Sequence, residues 1–382
     1  MVYRRGNAQD IENSAQTFPN GLHFASSRQI EWLRLDDEVT TGTLYCNVSK
    51  MIIGVHGQTM DLAYRSGHRL NAPMGGNTDI PLMRLGGVTA QMCANWTPDI
   101  LPSGPHTDSV EAPLSSQLSV LEYLHRELAG PAGEDVLLAR TSADLRTAAD
   151  IGRVALIVGM EGTDALFGDL AVLRKLFELG LRHVCLAHEH ANEFGAASQV
   201  WEKGKMRRYD PSRNPEGHLT DAGRALIAEM KRLGILIDVM HLVEPAFWEV
   251  LDTIAGQVIV SHGGARGMTG LIRYLSDKQI LAVARAGGVV GASPTPFGPS
   301  LERPGPPLLL DTVDDLVRLV GTSHVGIGTD FKEQPGYYPP GFANSIETPL
   351  LIRSLQERSY SAPDIDRICG ENFLRLFQQV AA

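Results

Sequence analysis

Seven polar residues whose side chains bind metals or move protons lie at or just after the ends of short apolar runs in this chain. They are His56, Asn95, Glu161, His188, His241, His262 and Asp330. A single histidine in such a place is usually a hydrogen-bonded structural residue. A whole series is hard to explain by packing, because burying many ionisable groups without a metal or a substrate is costly. The series therefore indicates a metal-dependent catalytic site.

The chemical types of these side chains narrow the choice of metal. Imidazole and carboxylate groups without a thiolate suit Zn²⁺, and Mn²⁺, Fe²⁺ or Co²⁺ are alternatives. A carboxylate between two histidines from neighbouring strands can bridge two ions, which together can hold a hydroxide and polarise a carbonyl group. Asp330, the last of the series, is then the natural base that takes a proton from metal-bound water and passes it to a leaving amine. The pattern predicts hydrolysis at a centre of one or two ions.

The apolar runs that carry these residues predict a parallel sheet. They are short and rich in β-branched residues, and stretches with helical apolar spacing, such as "LSVLEYLHREL" and "AGRALIAEMKRLG", separate them. This alternation is typical of a parallel sheet covered by helices. Eight runs favour an α/β fold of the (β/α)8 TIM-barrel type over an open sheet. The predicted strands are 51–56, 88–95, 154–161, 183–188, 236–241, 258–262, 289–294 and 325–330.

A barrel of this kind also predicts where the chemistry lies. In barrel enzymes the catalytic groups collect at the carboxyl ends of the strands, which is where the seven polar residues fall. The loops at 196–218 and 294–309 would border the same mouth, and the first of them is expected to be long, polar and without secondary structure. Residues 1–50 lie outside the alternation and are predicted to form an N-terminal appendage, with β-ribbon as one option. Residues 51–382 would form the metallohydrolase barrel.

Composition excludes several other classes of protein. Lys and Arg number 34 against 44 Asp and Glu, and the net charge of −10 argues against nucleic acid as a partner. No apolar run is long enough to span a membrane, and no apolar segment follows the first arginines as a secretion signal would require. The four cysteines have no paired spacing, which fits a reducing compartment. We expect a cytoplasmic enzyme with a small-molecule substrate, and leave a homodimer open.

Seven motifs give the chain a resemblance to a known family. They are "NTDIPLMRLGGVTAQM", "GMEGTDAL", "LGLRHVCLAH", "HLTDAGRALIAEMKRLGILIDVMH", "VIVSHGGAR", "HVGIGTDF" and "ICGENFLRLF". From about residue 50 onward the chain resembles the membrane (renal) dipeptidase family, zinc metallo-dipeptidases on an amidohydrolase-type barrel. Each motif alone is weak, but seven in the family's order are a specific signal. The resemblance implies hydrolysis of a dipeptide with free termini by attack of a metal-bound hydroxide.

The resemblance also implies a role for individual residues. Glu161 would be the bridging carboxylate, and His241 and His262 would complete one metal site with it. His188 would hydrogen-bond the oxyanion of the tetrahedral intermediate. Asp330 would be the catalytic acid and base.

Arg273, in "LIRYLSD", matches the family arginine that holds the substrate carboxylate. The planar fork of a guanidinium suits two carboxylate oxygens. The alternative interpretation is a surface arginine before the next helix, and this would be preferred without the family match.

The stretch "VHGQTMD" departs from the family, which carries His-x-Asp there. One alignment makes His56 a metal ligand, with Gln58 in place of the aspartate. The other makes Asp61 a ligand, with Thr59 in place of the histidine. Side chains alternate along a strand, so both ligands would reach the pocket only if Gly57 bends the chain. We therefore expect an impaired first metal site and about one tightly bound ion.

Three further positions differ from the family motifs. Met240 and Gly263 replace serines beside the two metal-binding histidines, and are expected to affect packing only. Lys332 stands where an aspartate is common, and its charge would lower the pKa of Asp330 and weaken it as a base.

Two other functions remain alternatives to a dipeptidase. One is hydrolysis of another amide, lactam or ester, and the other is a metal-poor relative that acts as a binding protein.

Overall fold

The structure is a computed structural model that describes most of the chain after residue 50. The described residues are 51–96, 113–188, 191–202, 205–208, 217–270, 273–294, 306–331 and 343–381. The predicted appendage at 1–50 lies outside these ranges, as do Lys332 and most of the loop at 294–309.

Eight parallel strands close into a barrel. The strands of the described residues are β1 (Ile53–Gly57), β2 (Ala90–Trp96), β3 (Val136–Leu138), β4 (Val154–Glu161), β5 (Leu181–Cys185), β6 (Gln199–Glu202), β7 (Lys205–Arg208), β8 (Leu236–Asp238), β9 (Val258–Gly263), β10 (Val289–Ala292) and β11 (Val325–Ile327). The order round the barrel is β2-β1-β11-β10-β9-β8-β5-β4, and β4 pairs with β2 to close it. The predicted (β/α)8 barrel is confirmed.

Helices follow the strands and cover the barrel. They are α1 (Thr59–Ser66), α2 (Ile80–Leu85), α3 (Pro113–Leu128), α4 (Ser142–Asp150), α5 (Leu170–Leu179), α6 (Asp221–Leu233), α7 (Glu244–Thr253), α8 (Arg266–Thr269), α9 (Asp277–Arg285), α10 (Pro306–Val320), α11 (Thr348–Glu357), α12 (Ala362–Asp366) and α13 (Asn372–Val380). Local sequence sets their ends, as α6 illustrates. The Thr220 side chain accepts a hydrogen bond from Gly223 N at its start, and Gly234 ends it in the left-handed conformation.

The described part of the chain contains three strands beyond the eight predicted. Strand β3 pairs with the first half of β4, while β5 pairs with the second half. Its run of three residues is too short to separate from a loop by pattern alone. Strands β6 and β7 form an antiparallel hairpin with Glu202 opposite Lys205. The expectation of a structureless loop at 196–218 is therefore wrong for its first half, because two adjacent strands satisfy each other's backbone groups.

The barrel interior is apolar at its lower end and polar at its mouth. Buried side chains such as Ile53, Met92, Ile157 and Ile259 pack together inside it, with Phe373 and other residues of α13 in the same cluster. A second cluster lies between the strands and the surrounding helices. Among the described helices, none combines the length and apolarity that crossing a bilayer requires.

Candidate metal centre

The carboxylate of Glu161, the last residue of β4, lies at the centre of four histidines. Its Oε1 atom is 3.4 Å from His241 Nε2, 3.6 Å from His56 Nε2, 3.8 Å from His262 Nε2 and 3.9 Å from His188 Nε2. The histidines come from four different strands or the loops after them, and all five side chains are buried. Closure of the barrel therefore assembles one cluster from residues spread over more than 200 positions of sequence.

The predicted set of Glu161, His241 and His262 fits a metal ion. The Nε2 atoms of the two histidines are 3.2 Å apart, and their distances to Glu161 Oε1 are 3.4 and 3.8 Å. Ligand atoms of a tetrahedral zinc ion lie about 3.3 Å from one another, given bonds of about 2.0–2.1 Å. Two histidine nitrogens and a carboxylate oxygen at these separations form a donor set suited to Zn²⁺.

Burial lowers the pKa of three imidazole groups of the cluster, those of His56, His241 and His262. It lowers the pKa of His262 well below the ordinary value, with His56 and His241 adding to the effect. The pKa of His241 and that of His56 are also lowered, mainly by burial and against the attraction of Glu161. A neutral imidazole is the form that binds a metal. The histidines are therefore held ready to act as ligands.

For Glu161, the effect of neighbouring side chains on the pKa is stronger than the effect of burial. Burial alone would raise its pKa, but His188, His56, His241 and His262 outweigh that effect and hold the pKa of this carboxyl well below its usual value. The carboxylate is therefore charged while fully enclosed. A buried carboxylate surrounded by imidazole groups is a binding site for a cation.

A bulge in β1 turns His56 into the cluster. Between Gly54 and Gly57 the register of β1 against β2 shifts, so that three steps along β1 match two along β2. Val55 and His56 can then both face the interior, which strict alternation forbids. Val55 packs in the interior cluster, and His56 Nε2 reaches Glu161.

Asp61 lies elsewhere, in the first turn of α1. The Nε atom of Arg65 contacts both of its carboxylate oxygens, at 2.7 and 2.8 Å. Among the described residues, the groups whose ligand atoms gather within 4.8 Å contain His56 but not Asp61. The geometry thus favours the alignment that makes His56 the ligand and leaves Gln58 in place of the family aspartate.

Two residues of the mouth have backbone torsions that non-glycine residues seldom adopt. His241 has φ of 66° and Asp330 has φ of 55°. Such conformations cost about 1–3 kcal/mol each and persist where the surrounding structure imposes them. In the described chain they direct the His241 ring at Glu161 and the Asp330 carboxylate at His56, whose Nε2 is 3.5 Å from Asp330 Oδ1.

A family model described as membrane dipeptidase (peptidase family M19) matches residues 47–382. The chain belongs to the membrane dipeptidase family. Family membership makes it a relative of metal-dependent hydrolases and confirms the resemblance seen in the motifs.

One curated relative of the family is dipeptidase aclJ of Aspergillus oryzae (strain ATCC 42149 / RIB 40). It is 29% identical to this chain over 232 residues, which are 60% of this chain and 52% of the relative. The match therefore spans about half of the length of that relative.

Solved structures of family members share the barrel. The metallopeptidase dipeptidase AC is 26% identical, with a TM-score of 0.74 over 87% of this chain and 98% of its own. A metallopeptidase from Rhodobacter sphaeroides, liganded with a phosphinate mimic of the dipeptide L-Ala-D-Ala, is 25% identical, with a TM-score of 0.75 over 87% of this chain and 99% of its own.

Arg273 and His188, the residues that the family resemblance links to substrate, both lie at the cluster. Arg273 is buried, so the interpretation as a surface arginine is wrong. Its charge is one of the influences, after burial, that lower the pKa of His241 and of His262. The centroids of the His188 and His241 rings are 4.8 Å apart. The position of His188 therefore suits either a metal ligand or a hydrogen-bond donor to the oxyanion.

The two family departures beside the histidines are in contact with each other. A Cβ atom added to Gly263 would lie 3.5 Å from the Met240 sulfur, an ordinary packing distance. The longer Met240 side chain thus occupies space beside the position where Gly263 has no side chain. This supports the expectation that both changes affect packing.

Sequence reasoning missed a group of polar residues beneath the cluster. Asp238 contacts His183 Nε2 through Oδ2 at 3.0 Å, and its Oδ1 accepts hydrogen bonds from the backbone N–H groups of Met240 and Ser261. Each of those residues directly precedes a histidine of the cluster. The available signal was an acidic residue at the inward position of an otherwise apolar strand, "LID".

Proposed function

We propose that this protein is a metal-dependent dipeptidase that cleaves the peptide bond of a dipeptide with free amino and carboxyl ends. The observation that carries the proposal is the placing of four histidines around Glu161, with Arg273 and Asp330 beside them. The family relative that holds a phosphinate mimic of L-Ala-D-Ala supports a dipeptide with a D-residue at its C-terminal position as one substrate.

Each residue of the mouth has a distinct task in this proposal. Glu161, His241 and His262 would hold the metal ion, which when bound supplies Lewis acidity for activating water and polarising a carbonyl group. Arg273 pairs with the substrate carboxylate through two N–H groups.

His188 and Asp330 act on the reacting atoms. His188 donates an N–H to the carbonyl oxygen, where negative charge develops. The Asp330 carboxylate takes a proton from the attacking water and delivers it to the nitrogen of the leaving amine.

We further propose that one Zn²⁺ ion is held tightly rather than two. Glu161, His241 and His262 give three protein ligands and leave a fourth position open, as catalytic zinc requires. At the other site, only His56 and the shared Glu161 remain of the family ligands, because Gln58 replaces the aspartate and Asp61 is paired with Arg65. Elemental analysis of the purified protein should find about one zinc per chain. Two tightly bound ions with ordinary dipeptidase turnover would contradict this.

Hydrolysis of a defined panel of substrates tests the proposed dipeptidase activity. The protein is stripped with a chelator, reloaded with Zn²⁺ or Mn²⁺, and offered L-Ala-L-Ala, L-Ala-D-Ala, a tripeptide, an N-acetyl dipeptide, a lactam and an ester. We expect hydrolysis of the free dipeptides alone, and only after reloading. Metal-dependent cleavage of the lactam or ester in their place would make the protein another kind of amidohydrolase. A loaded protein that cleaves nothing would exclude the proposed function.

A further inference from the structure

Ser261 contacts two histidines of the cluster with one hydroxyl group. It lies in β9 directly before His262 and is fully buried. Its Oγ atom is 3.0 Å from Nδ1 of His56 and 3.0 Å from Nδ1 of His262. These are the ring nitrogens that face away from Glu161, since the Nε2 atoms of both rings face its carboxylate. Ser261 therefore contacts the Nδ1 side of His56 in β1 and the Nδ1 side of His262 in β9.

The protonation of an imidazole decides which of its nitrogens can bind a metal. A neutral ring carries one proton, so that one nitrogen donates and the other accepts. A histidine that offers Nε2 to a metal keeps its proton on Nδ1, and the partner of Nδ1 fixes that arrangement. A serine oxygen has two acceptor lone pairs, so Ser261 Oγ can accept from both Nδ1–H groups at once.

We infer that Ser261 is a positioning residue that holds His56 and His262 in the Nδ1–H tautomer, so that both Nε2 lone pairs point at Glu161. The inference rests on the metal site proposed above and adds to it a residue that touches neither metal nor substrate. It explains how ligands from two strands are oriented together, by a single shared acceptor.

The surroundings of His56 disfavour the opposite tautomer. If Ser261 donated its proton to His56, that ring would carry its own proton on Nε2. Within the described residues, however, His56 Nε2 has no hydrogen-bond partner. Its distances to Asp330 Oδ1 and Glu161 Oε1 are 3.5 and 3.6 Å, longer than an ordinary N–H···O hydrogen bond. A proton on Nε2 would be poorly satisfied, whereas a proton on Nδ1 meets Ser261 directly.

The fold fixes the position of Ser261 itself. Its backbone N–H donates to Asp238 Oδ1 at 3.2 Å, and the same oxygen accepts from Met240 N–H at 2.9 Å. Its carbonyl is packed by the backbones of Gly291 and Gly328, where a Cβ atom would lie 2.1 and 1.9 Å from the oxygen. Neighbouring strands thus hold the backbone of Ser261, and the hydroxyl has little freedom to leave the two rings.

Zinc affinity provides the first test. Ser261→Ala removes the shared acceptor, and the full-length variant should bind zinc about 10- to 100-fold more weakly in competition with a chromophoric chelator. Ser345→Ala is the matched control, because Ser345 is also buried and its hydroxyl donates to the Asn77 carbonyl, outside the cluster. Its zinc affinity should equal that of the wild type. Circular dichroism and thermal unfolding establish that both variants are folded.

Histidine tautomers provide the second test and do not depend on any variant. In zinc-loaded wild-type protein with ¹⁵N-labelled histidine, long-range ¹H–¹⁵N spectra should show Nδ1–H on both His56 and His262. A proton on Nε2 of either ring, or full zinc affinity in folded Ser261→Ala, would overturn the inference. If the wild type binds no zinc, the proposed function itself fails. If Ser261→Ala does not fold, the tautomers of His56 and His262 measured in the wild type are the test of the inference.

Discussion

At the scale of single residues, Asp330 has the most specific expected effect. Its carboxylate is buried beside His56, on a backbone with φ of 55°. Asparagine tolerates this conformation and keeps the shape but cannot act as a base. Asp330→Asn should therefore lower kcat by about 10²–10⁴-fold and leave the zinc content unchanged. The control Asp315→Asn alters an exposed pair with Arg318 and should keep full kcat. Unchanged kcat in Asp330→Asn would exclude its role as the base.

His188 and Arg273 should differ in which kinetic constant they control. Arg273→Ala removes a contact that is present in the ground state and the transition state alike, so KM should rise most. His188→Ala removes a donor to the developing oxyanion, so kcat should fall by about 10²–10³-fold with little change in KM. Steady-state kinetics on a dipeptide separates the two. Full kcat in His188→Ala would exclude the oxyanion role, and loss of zinc from that variant would make His188 a ligand instead.

At the scale of elements, the metal centre depends on how closely β9 approaches the end of β11. Gly328, just after β11, lies so near β9 that a Cβ atom there would be 1.9 Å from Ser261 O and 3.0 Å from His262 Cα. Gly328→Ala should displace β9, lower the melting temperature by several degrees and weaken zinc binding, since overpacking costs about 1–3 kcal/mol. At Gly267, in α8, nothing lies within 4 Å of the added atom, so Gly267→Ala should not lower the melting temperature. Equal melting temperatures for the two variants would contradict this.

Helices α5 and α6 are joined by a charge cluster that should make stability depend on pH. Glu229 Oε1 is 2.8 Å from Arg232 Nη2 and 2.5 Å from Arg174 Nε, and hydrogen bonds from both lower the pKa of Glu229 to about 2. A lowered carboxyl pKa stabilises the fold above the unfolded value near 4.5, and this contribution is lost as pH falls from there towards 2. In denaturant unfolding, Glu229→Gln should cost less than about 1 kcal/mol at pH 7, because the arginines are exposed. The difference from wild type should shrink below pH 4.5; a difference independent of pH would contradict the assignment.

At the scale of the whole molecule, metal binding should be linked to folding. The proposed ligands Glu161, His262 and His241 come from β4, from β9 and from the loop after β8, so only the closed barrel gathers them. An ion that binds the folded state alone adds about 2.7 kcal/mol when its free concentration is roughly 100-fold above the dissociation constant. Chelation should therefore lower the melting temperature and zinc should restore it, whereas His262→Ala should abolish the response. A melting temperature that zinc does not change would contradict the metal site.

The barrel, the family and most of the residues at the mouth of the barrel could be predicted from the sequence alone. Short apolar runs alternating with amphipathic segments have one common solution, a parallel sheet covered by helices, and the predicted eight strands are present. The polar residues at the strand ends were visible because parallel strands finish on the same side. These features depend on periodicity and order along the chain, which sequence records directly.

Tertiary structure was needed to place His56 rather than Asp61 at the cluster and to reveal the contacts of Ser261 and Asp238. The bulge between Gly54 and Gly57 arises from pairing with β2, and the local sequence "IGVHG" does not predict it. The contact of Ser261 with His56 joins β9 to β1, 205 positions apart in sequence, and the contact of Asp238 with the Ser261 backbone joins β8 to β9. The register and the side-chain directions at such points depend on the packing of neighbouring strands. Each strand must pair its backbone hydrogen-bonding groups and also bury its apolar side chains in the core.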